Sequence, residues 1–95
     1  MAQLRRLVLD VLKPHEPDII TMAAHLADID GIDSVNCNIV EIDKRVENAR
    51  VTLVGDDIRY ELVKAVVEEL GGSVHSIDEV VAGAAIIDSP HMMQD

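Results

Sequence analysis

Aromatic side chains are all but missing from this 95-residue chain, which has one Tyr, no Trp and no Phe. A sheet that reads single-stranded RNA needs exposed rings on which bases can stack, so the absence argues against that use of a sheet. Positive charge is scarce too: eight Lys and Arg stand against 18 Asp and Glu, for a net charge of −10. A chain this acidic is repelled by phosphate backbones and anionic lipid, so neither nucleic acid nor a membrane surface is an expected partner. The single Cys excludes an internal disulfide and any CxxC metal or redox pair. No apolar run approaches the roughly 20 residues of a membrane-spanning helix. The first residues, MAQLRRLVLDVLK, lack the long apolar stretch and small-residue cleavage site of a signal peptide, and the expected location is cytoplasmic. Nucleophile elbows, phosphate loops and dinucleotide fingerprints are absent as well.

What is present is aliphatic. Apolar residues make up 48% of the chain, a globular composition for one small domain. In so short a chain, burial of the core roughly balances the entropy of ordering it, so help from a partner chain is expected.

The periodicities give an order of elements. Residues 4–13 read as a strand in which Leu7, Leu9 and Val11 alternate with Arg6, Val8 and Asp10. Pro14 and Pro17 stop it, and Pro17 suits the first position of a helix over 17–30. That helix carries Ile19, Met22, Ala23, Leu26 and Ile29 on one stripe and ends at Gly31. A strand over 35–43 has Val35, Cys37 and Ile39 on one face and Asn36 and Asn38 on the other. A short turn leads into a strand over 48–54. Gly55-Asp56-Asp57 reads as the opening of a second helix with an Asp cap. Ile58, Leu62, Val66 and Leu70, with Val63 and Val67, form its stripe, and Gly71-Gly72 stops it. A last strand spans 73–82, alternates poorly and is interrupted by Gly83.

The resulting β-α-β-β-α-β order predicts a ferredoxin-like α+β domain over 1–83. The expected antiparallel sheet order is 4-1-3-2, with both helices on one face and a separate tail over 84–95. Such a topology gathers the 13–17 loop, the hairpin near Asp43–Asn48 and the start of the last strand at one end. By alternation Val8, Leu12, Val40, Ile42 and Val54 fall on the face opposite the helices.

Two stretches resemble the signature segments of an archaeal family catalogued as domain of unknown function 211. They are Leu9-Asp10-Val11-Leu12-Lys13-Pro14-His15-Glu16-Pro17, and Gly71-Gly72-Ser73-Val74-His75-Ser76-Ile77-Asp78-Glu79-Val80-Val81-Ala82-Gly83. The resemblance extends over Glu41-Ile42-Asp43 and the spacing of the helices, and is lost after Gly83. It implies a ferredoxin-like fold, a small stand-alone protein and a ring-like homo-oligomer, and no established activity.

Three functional readings compete. The first is a homo-oligomeric binding or assembly module whose apolar sheet face, edges and Ile86-Ile87 tail demand company, with small ligands or ions bound between subunits. The second is a divalent-cation site built from Asp10, His15, Glu16 and His75, where mixed imidazole and carboxylate donors suit Zn, Mn or Ni. Against it stands an ordinary structural use of each: a loop histidine, a helix-start glutamate and polar groups bonded within the sheet. The third is an enzyme with Asp10 or Glu79 as general base beside His75, which would need a cleft. Of the remaining candidates, Cys37 reads as a small core residue, His25 as a surface residue, and Asp78-Glu79 as an acidic strand edge. His91, Met92 and Met93 suggest soft-metal binding, but a disordered terminus is the simpler expectation.

Overall fold

A computed structural model describes residues 2–87. Its elements are β1 (Leu4–Pro14), α1 (Ile19–Ala27), β2 (Ile32–Ile42), β3 (Val46–Ile58), α2 (Tyr60–Glu69) and β4 (Ser73–Ala82). The four strands form one antiparallel sheet in the order β2-β3-β1-β4. This is the ferredoxin-like arrangement read from the sequence. Leu7, Leu9 and Val11 of β1, with Ala49, Val51 and Leu53 of β3, share one buried cluster with Met22 and Leu26 of α1 and Val63 and Val67 of α2. Both helices therefore cover the same face of the sheet.

The main departures from the sequence reading are at α1 and at the junction of β3 with α2; β2 also begins at Ile32 instead of 35, and β3 at Val46 instead of 48. Helix α1 begins after an Asp18 cap, whose carboxylate accepts from the Thr21 amide at 3.0 Å, and ends at Ala27. Pro17 thus precedes the cap instead of opening the helix. Gly31, at φ +93°, turns the chain into β2. The second difference is larger. Gly55, Asp56 and Asp57 continue β3 instead of opening α2, which starts after Arg59 without a side-chain cap. A Cβ on Gly55 would lie 2.0 Å from the Gly31 carbonyl oxygen, and the Asp57 amide donates to that same oxygen at 3.2 Å. Backbone passes against backbone here, which only glycine permits. Ile58 consequently ends β3 opposite Leu4 and is buried there, not on the α2 stripe.

The face away from the helices is less apolar than alternation implied. Val8 is only 7% exposed within the single chain, and Leu12 and Val54 are half-buried. A bulge at Val40, where Ile39 pairs with Ala49 but Glu41 with Asn48, sets Ile42 opposite Glu47 and so on the helix side. Asp10, Asn48, Arg50, Thr52, Asn36 and Asn38 make up much of the rest. Exposed aliphatics lie instead at the hairpin end of β2, where Val40 and Ile42 are 60% and 65% exposed, and on β4. Ile77 and Val80 pair with Leu9 and Leu7, which places them on the helix side, yet they are 49% and 50% exposed. Neither helix covers that flank. Bulges between Val8/Leu9 and Asp10/Val11 account for the poor alternation of β4. Among the described residues, no helix is long and apolar enough to cross a membrane.

Candidate functional site

The end of the sheet that the topology was expected to gather does hold a cluster of charged side chains. Lys13 continues the Leu7, Leu9, Val11 phase of β1, so its side chain enters the core side, where it is 1% exposed. An ammonium there must be paired. Its Nζ donates to the Pro14 carbonyl at 2.7 Å and to Glu47 Oε1 at 2.9 Å. Glu47 lies directly across from Lys13 in the β1–β3 register, which is what aims its carboxylate there. Its second oxygen, Oε2, lies 2.9 Å from His15 Nδ1, and His15 Nε2 lies 2.9 Å from the Lys44 carbonyl. Both ring nitrogens thus face acceptors, and both are satisfied only when both carry protons, as in the imidazolium. In accord with this geometry, the Glu47 hydrogen bond and then the Lys44 carbonyl raise the His15 pKa above its ordinary 6.5. His15, and then Lys13, hold Glu47 below its ordinary 4.5. The result ties the β2–β3 hairpin to the end of β1 through one carboxylate shared by Lys13 and His15.

The four expected ligands are distributed as follows. His15 meets the hairpin, and its carboxylate partner is Glu47, not Glu16, whose side chain is exposed. Asp10 lies on the open face four residues before Pro14, about 13 Å of strand away. Its Oδ1 accepts from Asn48 Nδ2 at 3.2 Å, and its strand neighbours are Arg50 and Ser76. His75 is the extra residue of the β4 bulge beside Asp10 and is exposed. Among the described residues, no group of three or more His, Cys, Asp or Glu side chains comes together as a metal site would require. Glu79 pairs with Val8 and lies 3.5 Å from Arg6 Nε in an ion pair. Asp78, bulged out of the ladder, accepts from Ser76 Oγ at 2.7 Å. Cys37 is half-buried among the helix-side residues of β2, and burial pushes its thiol pKa up, as suits a core residue. His91, Met92 and Met93 lie outside the described residues.

Sequence reasoning missed Lys13 and Glu47. The signal for Lys13 was available: it shares the parity of three core residues, and a lysine in that phase needs an anion. Glu47 could be named only once the hairpin register was known.

The model of the family described as uncharacterised ArCR, domain of unknown function 211, matches residues 5–95. This chain belongs to that family. The match continues through the tail, where the resemblance noted above was lost after Gly83. A curated relative, an uncharacterised protein of the archaeon Methanocaldococcus jannaschii, is 48% identical over 95 residues, covering 100% of this chain and 98% of the relative. Family and relative thus share the whole domain with this chain.

Proposed function

We propose that this protein is a homo-oligomeric assembly module, in which copies of the chain join through surfaces on the outer strands. The observation that carries this reading is the β4 flank. Ile77 and Val80 stand half exposed on a strand whose outer backbone edge has no strand partner among the described residues. Leu62, Ile86 and Ile87 are exposed aliphatics as well. A free edge flanked by apolar side chains is an aggregation hazard unless something covers it, and a second copy is the simplest cover. The net charge of −10 keeps such a protein soluble while it associates in a defined way. With two outer strands, β2 and β4, more than two copies can link, as the ring-like assembly implied by the family resemblance would require.

Light scattering coupled to size exclusion, at micromolar concentration and high salt, tests the reading. The expected mass is a multiple of 10.4 kDa that falls in the Val80→Lys variant. A compact species of one chain across the concentration range would refute it.

A further inference from the structure

The other outer strand carries a different kind of signal. Among the described residues β2 pairs only with β3, so its outer row of amide and carbonyl groups has no strand partner there. Its sequence, Ile32-Asp33-Ser34-Val35-Asn36-Cys37-Asn38-Ile39-Val40-Glu41-Ile42, reads nearly the same from either end about Cys37, except where Ser34 mirrors Val40. Asn36 mirrors Asn38, Val35 mirrors Ile39, Asp33 mirrors Glu41, and Ile32 mirrors Ile42. The two faces respect the mirror: Val35, Cys37 and Ile39 are half-buried on the helix side, while Asn36 and Asn38 are exposed on the open side.

From this juxtaposition we infer that β2 is a self-complementary edge that pairs antiparallel with β2 of a second copy, about a twofold axis through Cys37. The inference rests on the assembly reading above and assigns one of its interfaces. A twofold contact needs a surface complementary to itself, and for a strand edge that means a pattern unchanged on reversal. In this register Asn36 faces Asn38 of the second copy, amide to amide. Val35 faces Ile39, apolar to apolar, and the two Cys37 residues face each other with Cα atoms about 4.5–5.5 Å apart.

The regular part of β2 is bounded by register shifts at Asp33 and Val40. The self-complementary residues 35–39 lie within it, and the mirror positions that do not match, Ser34 with Val40 and Asp33 with Glu41, fall at its ends, where the bulges bend the strand.

The test is a cross-linking experiment on the full chain. In a Cys37→Ser background, Asn36→Cys and Asn38→Cys are made as separate variants, and the two are also co-expressed. Mild oxidation is expected to link the co-expressed pair at least tenfold faster than either variant alone, since only the mixed pair places thiols opposite each other. Independently, Asn36→Lys with Asn38→Lys, its fold checked by circular dichroism, is expected to at least halve the assembly mass. Asn36→Asp with Asn38→Lys is expected to restore it. If the unmodified protein is a multimer but the mixed pair cross-links no faster, or the two-lysine variant keeps its mass, this interface is wrong and the assembly reading stands. If the unmodified protein is a single chain, both fall.

Discussion

The two outer strands of the sheet are similar in length and opposite in character. β2 lies under α1, and its helix-side residues Val35, Cys37 and Ile39 pack against the core. β4 lies beyond the reach of α2 for most of its length, and its helix-side residues Ile77 and Val80 stay half exposed. Among the described residues both strands have one edge without a strand partner, so the edge itself does not distinguish them. What differs is whether a helix lies over the side chains next to it. β2 is covered through its middle, with Val40 and Ile42 exposed at its hairpin end, and offers a ladder; β4 is uncovered at Ile77 and Val80 and offers a greasy flank.

The most severe way to break this contrast is to unseat β2. Gly55→Ala places a methyl group against the Gly31 backbone, where neither chain segment can give. The expected loss is about 3 kcal/mol or more of folding stability by chemical denaturation, with β2 and the start of α1's connection displaced. A near-neutral result would mean that the close approach is not rigid.

The contrast is sharpened by truncating a covered and an uncovered residue. Leu26, on α1, is fully buried. Leu26→Ala is expected to cost about 2–5 kcal/mol, whatever the protein concentration. Ile77→Ala is expected to cost about 1 kcal/mol or less in dilute solution, since half of its surface is already wet. As concentration rises and copies cover β4, the cost of Ile77→Ala should grow. Equal and concentration-independent losses at the two sites would erase the distinction.

The smallest effect is a pH dependence at the hairpin end of β2. His15 has a raised pKa in the folded chain, so its contribution is complete below about 6.5 and is lost as pH climbs through the folded value. Glu47 has a lowered pKa, so its contribution is complete above about 4.5 and is lost as pH falls through the folded value. Asp18, lowered by the Thr21 amide, adds to the acid side. Thermal melts from pH 3 to 9 should therefore show highest stability between about 4.5 and 6.5. His15→Gln should flatten the alkaline side and shrink, without abolishing, the acid side, because Lys13 still holds Glu47. A midpoint that climbs steadily from pH 6 to 9 in the unmodified protein would contradict this.

The same contrast explains which parts of the fold could be read in advance. β2 alternates without interruption through its middle, so its inward and outward residues follow from parity alone. β4 is bulged twice, and each bulge resets the parity, so neither face could be named before the register with β1 was known. The β-α-β-β-α-β order survived these local errors, because it depends on where hydrophobic periods change and not on where each ends. Gly55-Asp56-Asp57 was misread because glycine followed by acid is a usual helix opening. Its actual use is a contact with Gly31, far away in the chain, which no local pattern reports. The candidate site was legible by half. The meeting of the 13–17 loop with the hairpin followed from topology, and His15 is there. Its partner Glu47, and the burial of Lys13, depend on a cross-strand pairing that only the folded sheet supplies. Asp10 and His75 were placed on neighbouring strands correctly, but lie well down the sheet from His15.

The sealed ammonium of Lys13 has a consequence for how the molecule comes apart. A hairpin that peeled away from the central strand would strip that cation of its counter-ion while the walls around it were still dry. Partial opening at this end is thus penalised twice, once in lost ladder bonds and once in an uncompensated charge. The tip of the hairpin and the last turn of the first strand are bound to open as one unit, so slow amide exchange in one should be mirrored by slow exchange in the other.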